Sequence, residues 1–195
     1  MRNETIVTRD YSQKSFLIGK AMKHPPPNPQ AVAELIKFTP DVLTSMVAGL
    51  DDELLSWRPA QGEWCIKEVI GHLLEMDTKA FGDRIKLILA EDTPAIPGFN
   101  VDKIAADRHD DQRPINALLE SFRVEREAAV AYLAQLPAEG LSRTGTFPTD
   151  RYFRASDFLY EWPYHDQEHI KQISDIIQAS VWPNLSETMQ KALRP

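Results

Sequence analysis

The chain has 195 residues, 43% of them hydrophobic and 26% charged, with a formal net charge of −7. That is enough for one domain with a real core and too little for two comfortable ones, and the acidic balance excludes a nucleic-acid backbone as the expected partner. Cys65 is the single cysteine, which excludes an internal disulfide and a cysteine-rich zinc site, and no apolar run approaches the length of a membrane span.

Along the chain, residues 1–27 hold Arg2, Arg9, Lys14, Lys20 and Lys23 against Glu4 and Asp10, so the remainder carries −10. The run "SFLIG" is too short for the apolar region of a signal peptide, and the expectation is a cytoplasmic protein. "HPPPNP", His24 to Pro29, reads as a stiff extended connector. Residues 1–29 are predicted to form an arm, mobile or laid on the surface. Residues 30–195 are predicted to form the fold, closed by a short tail.

Helical periodicity begins at Gln30 and runs to Leu50, with Leu35, Phe38, Val42, Leu43, Met46 and Val47 as its stripe. Thr39 followed by Pro40 looks like an N-cap with Pro in the first turn, so this helix restarts or bends there. "DDELLSWRPAQGEW" reads as a loop. A second helix is predicted over Ile66–Glu91, with Ile66, Val69, Ile70, Leu73, Ala80, Phe81, Ile85, Ile88 and Leu89 on one face. Residues 92–113 read as a long connection. A third helix runs from about Pro114 to Leu136 and is stopped by Pro137 and Gly140. After another polar connection the fourth spans about Ser156–Ala179, and a short helix is possible at Ser186–Leu193. Long helices joined by long connections predict an all-α, four-helix bundle.

The inner stripe of the fourth helix reads Phe158, Trp162, His165, His169, Ile173, Ile176, with Asp166, Glu168, Lys171 and Asp175 assigned to the outer face. In the second helix Val69, His72, Met76 and Ala80 are spaced so that His72 edges the inner face. Three of the five histidines thus fall on core-facing positions of two helices, whereas His24 lies in the connector and His109 in the charged loop "ADRHDDQRP". Two imidazoles one turn apart can share an ion at ~2.0–2.1 Å, and a third from a neighbouring helix completes a face that leaves positions open. The alternative is three hydrogen-bonded core histidines, since desolvating them without partners is unfavourable.

Other motifs compete. "HDQEH" matches H-x-x-E-H, with Glu168 as general base of a metallopeptidase, but that motif needs a downstream carboxylate ligand, for which only Glu187 is present, and a larger α/β fold. H-E-x-x-H fails because Asp166 occupies the Glu position. Cys65 is either a nucleophile at a helix N-terminus or a capping-box residue with Glu68. Trp57, Trp64 and Trp162 are expected in packing, and residues 107–111 as a solvated acidic loop.

"LLSWRPAQGEWCIKEVIGHLLEMD", "FRVEREAAVAYLAQL" and "DFLYEWPYHDQEHIKQI" together resemble the ordered motifs of the DinB/YfiT-like superfamily, over about residues 30–180. The resemblance implies a bundle of up-down-down-up type, often a homodimer. It implies one divalent ion, nickel or zinc most often, held by His72, His165 and His169. It further implies a thiol-dependent S-transferase using a low-molecular-weight thiol, or a metal-dependent hydrolase, acting on a small molecule; a non-catalytic, metal-stabilised binding bundle is the alternative. Cys65 departs from the usual Ser at that helix start. Arg126 sits at the family's usual Arg and is expected to steer an anionic substrate if it faces the pocket, with Glu75 beside the ligands.

Overall fold

The computed structural model describes residues 28–98, 100–147 and 151–193. Residues 1–27 of the predicted arm, including His24, lie outside the described residues.

The first predicted helix is two helices, α1 (Pro29–Ile36) and α2 (Thr39–Val47). The Asn28 side chain caps α1 by accepting from the Ala31 N–H at 2.8 Å, and Pro29 takes a first-turn position, where a missing N–H costs nothing. The break follows from Pro40. It has no N–H to give the Ile36 carbonyl four residues earlier, and its ring crowds that carbonyl. The restart is where the sequence put it, but Thr39 is not its cap. Phe38 occupies the N-cap, and Thr39 is buried, its hydroxyl donating to Asp166 at 2.6 Å. The predicted stripe also changes, because one helical phase does not survive the break. Leu35, Phe38 and Val42 are exposed, and the buried face is Val32, Ala33, Ile36, Leu43 and Val47.

The second helix is continuous as α4 (Ile66–Met76), a π turn (Asp77–Phe81) and α5 (Gly82–Ala90). α7 (Ile115–Gln135) and α8 (Ala155–Val181) match the third and fourth. Short elements occupy stretches that read as loops: α3 (Asp52–Ser56), α6 (Val101–Arg108) and a hairpin of β1 (Thr144–Phe147) with β2 (Arg151–Arg154). Elements this brief span too few periods to show in a sequence. α9 (Glu187–Leu193) closes the described chain. No helix among the described residues is long and apolar enough to cross a membrane.

Two apolar clusters set the course of the chain. One gathers Val32 and Ile36 of α1, Phe81, Ile85 and Ile88 of the second helix, Leu133 of α7, and Phe158 and Trp162 of α8. The other gathers Leu43 and Val47 of α2, Ile66 and Val69 of α4, Leu118 and Phe122 of α7, and Ile173 and Ile176 of α8. The first and fourth helices therefore run from the first cluster to the second, and the second and third run back. This is the up-down-down-up bundle. The second helix packs against α7 and α8, and α1 packs against the same two. Since α5 finishes at one end and α7 starts at the other, the connection between them has to travel the length of the bundle. It is held on the way by the hairpin, where Ile96 N–H donates to the Thr146 carbonyl at 2.7 Å and Thr146 N–H to the Pro94 carbonyl at 2.8 Å.

The same connection explains one glycine. Asp110 was expected in a solvated loop, yet it is fully buried, bound by Arg108 Nε at 2.6 Å and Arg113 Nη1 at 3.2 Å. Its carboxylate lies against Gly71 of α4, and a Cβ there would overlap it. Gly71→Ala is accordingly expected to cost about 1–3 kcal/mol, read as a lower urea midpoint at unchanged slope. A wild-type midpoint would contradict this packing.

Between the two apolar clusters lies a polar layer. Thr39, His72, Asp77, Arg126, Asp166 and His169 are all 9% exposed or less, and every long helix supplies at least one of them.

Candidate metal centre

α4 and α8 bring the three predicted histidines together. His72 Nε2 stands 3.1 Å from His165 Nε2, which stands 3.1 Å from His169 Nε2. Ligand atoms arranged tetrahedrally around a zinc ion at ~2.0–2.1 Å are separated by ~3.3 Å, so this spacing fits a shared cation. Hydrogen bonding alone does not account for it. A ring nitrogen carries one proton or one lone pair, so His165 Nε2 cannot serve two such neighbours well, while an ion serves all three. Among the described residues this is the group of His, Cys, Asp or Glu side chains that could hold a metal.

The surroundings suit neutral, outward-donating imidazoles. His169 Nδ1 is 2.8 Å from Gln172 Oε1. That oxygen can only accept, so Nδ1 carries the proton and Nε2 presents its lone pair. Burial, then His169 and Arg126, push the His165 imidazole well below its ordinary pKa. Trp64 lies against the site, its ring 4.9 Å from that of His72 and 6.4 Å from that of His169. The Phe81 and His165 rings meet in a T-shaped arrangement, their centroids 5.3 Å apart. Trp64 is thus a wall of the centre as well as a packing residue; its place just ahead of the helix carrying His72 is the one signal for it in the sequence. Gln172 could have been found from its spacing three residues after His169.

Arg126 does not face a pocket. It is 1% exposed and saturated. It donates to Asp77 at 2.6 and 3.0 Å, to Asp166 at 2.9 Å and through a second, short contact, and to the Ile36 carbonyl at 2.8 Å. That carbonyl is the one Pro40 leaves without a partner. Trp162 Nε1–H adds a bond to Asp77 at 2.8 Å. Asp166, assigned to the outer face from its spacing, is therefore a core residue, paired across the bundle. Burial alone would lower the Arg126 pKa, but Asp77 and Asp166 hold it above its ordinary value. Steering of a substrate by this guanidinium is ruled out by its partners.

Glu75 is buried and pairs with Lys79 at 2.8 Å and Arg108 at 3.6 Å. Cys65 is fully buried at the α4 N-cap, where its N–H donates to Glu68 at 2.9 Å. Burial pushes its thiol up to about 11, so it is a capping residue and not a thiolate nucleophile. The H-x-x-E-H peptidase reading fails. The third group beside His165 and His169 is the upstream His72, and Glu187 is 92% exposed, on a terminal helix. His109 is at a left-handed turn ending α6 and lines a cleft with Trp64, without joining the three grouped imidazoles.

Comparison with known proteins agrees with this architecture. The sequence pattern of the DinB superfamily matches residues 35–173. A protein of Geobacillus thermodenitrificans, named as a candidate metal-dependent hydrolase, is 29% identical over 150 residues, covering 75% of this chain and 83% of its own length. A protein of Oceanobacillus iheyensis with the same description is 24% identical over 147 residues, or 75% of this chain and 84% of its own. The structure of YfiT from Bacillus subtilis, described as having an unusual four-helix bundle topology, superposes with a TM-score of 0.72 at 20% identity, covering 86% of this chain and 98% of that one. With the family pattern running from α1 through both histidine-bearing helices, the chain belongs to the DinB superfamily.

Proposed function

We propose that His72, His165 and His169 hold one divalent cation and that the chain uses it to hydrolyse a small-molecule substrate. The convergence of three Nε2 atoms at 3.1 Å steps carries this reading. The hydrolase descriptions given to the relatives support the reaction class. When bound, such a cation supplies Lewis acidity, polarising a substrate oxygen and lowering the pKa of a water or thiol. The chain's own residues bind and orient. Three neutral imidazoles leave coordination positions free for substrate, Gln172 fixes the His169 tautomer, and the Trp64 and Phe81 rings shield the centre from bulk water. Imidazole ligands suit zinc and nickel. A low-molecular-weight thiol used in place of water turns the same centre to S-transfer, and the expected assembly is a homodimer.

Elemental analysis of untagged protein purified without added metal is expected to find about one equivalent of zinc or nickel, lost in His169→Ala. Metal retained in that variant, or no uptake by the wild type, sinks the triad reading. A panel of esters, amides and phosphoesters, run with and without added thiol, then separates the chemistries. Turnover that requires the thiol moves the assignment to transfer. Metal without turnover on any substrate returns the centre to a structural role.

A further inference from the structure

Metal-binding histidines are normally oriented by a partner on the ring nitrogen that does not face the ion. His169 has one in Gln172. His165 does not: its Nδ1 is buried, and no hydrogen-bond partner approaches it among the described residues. Yet His165 is the central member of the triad, the one whose Nε2 meets both others. Something else must hold it.

Besides the imidazoles of His72 and His169, its ring meets Phe81, at 5.3 Å. Phe81 is stacked on Trp162 at 5.1 Å. Trp162 is fixed in turn by its N–H bond to Asp77, and Asp77 is clamped by Arg126. The same guanidinium holds Asp166, the residue after His165, which is also tied to Thr39. Asp77 and Phe81 bound the π turn of the second helix, a distortion that often marks functional positions. Both routes to His165, through the aromatic stack and through the α8 backbone, therefore end on Arg126.

We propose that Asp77, Trp162 and Arg126 are positioning residues for the metal centre, holding His165 in register with His72 in place of a direct bond to its Nδ1. The proposal rests on the metal reading above. It takes the buried salt bridge beyond stability, since it sets the affinity of the folded protein for its ion.

The test uses the full chain, stripped of metal and titrated with zinc and with cobalt. Asp77→Asn and Trp162→Phe are each expected to weaken zinc binding by about 10- to 100-fold and to alter the visible ligand-field absorption of bound cobalt. Leu133→Ala, a core truncation in the apolar cluster, supplies the control for general destabilisation: its affinity and cobalt spectrum should match the wild type. If Asp77→Asn does not fold, Trp162→Phe decides alone. Wild-type affinity and spectrum in the variants that fold overturn the proposal while leaving the metal reading intact, as does an equal loss in Leu133→Ala. A wild type that binds neither ion overturns the metal reading itself.

Discussion

Arg126→Met is expected to lower stability by about 3–5 kcal/mol, the cost of stranding buried charge by removing one partner of a pair. The variant leaves Asp77 and Asp166 facing one another in the core, and it orphans the Ile36 carbonyl. At roughly 2–4 °C per kcal/mol for a chain of this size, the thermal midpoint should fall by at least about 6 °C. The loss should depend on pH. Burial already raises the Asp77 carboxyl from 3.8 to about 6, with Arg126 opposing that rise. Without Arg126 the folded-state pKa moves further up. A raised carboxyl in the folded state carries no penalty below its unfolded pKa, a growing one between the unfolded and folded values, and its full penalty above the folded value, so a further rise separates the variant from the wild type only above the wild-type folded value. The variant should therefore sit nearest the wild type at about pH 4 and furthest from it above pH 6. Denaturation of both proteins across this range checks the prediction. A constant difference, or none, would show that the carboxylates are not held by this guanidinium.

Chelation is expected to be the second large effect. A cation bound only by the folded state stabilises it by about 4 kcal/mol when free metal exceeds its dissociation constant 1,000-fold, which corresponds to roughly 8–16 °C in the midpoint. Stripping the wild type should lose this, and adding zinc should restore it. His169→Ala should respond to neither treatment, because two imidazoles remain where three are needed. Differential scanning in buffer, chelator and zinc reads all of this in one series. A wild-type midpoint indifferent to chelator and to zinc would make the three histidines plain core residues.

Much of the architecture was legible in advance. The long helices appear where the periodicity placed them, and the inner stripe of the fourth is buried at Phe158, Trp162, His169, Ile173 and Ile176. The three histidines chosen from that spacing are the three that converge. A charged residue beside an apolar stripe, such as Asp166, reads as solvated, as does Asp110 in its acidic run. Yet both are buried, Asp166 because Arg126 comes to meet it from 40 positions away and Asp110 because its own neighbours Arg108 and Arg113 pair with it where the connection lies against Gly71, and no local pattern announces either docking. Leu35, Phe38 and Val42 fall on the inner stripe only if one helical phase continues across Pro40, and it does not.

Helical periodicity depends on residues within two turns of each other, so the sequence by itself determined the long helices, the break at Pro40 and the faces that carry the histidines. The pairings that build the site join residues far apart in the chain: Arg126 with Asp77, 49 positions away, Thr39 with Asp166, 127 away, and His72 with His165, 93 away. Which of these meet depends on how the bundle is wound, with the second helix set against α7 and α8 and the chain returning along its whole length before α7 begins. Only the tertiary structure decides that, because the same amphipathic helices can bury their apolar faces in more than one order, and it is the order that brings one arginine between two carboxylates and three imidazoles to a common point.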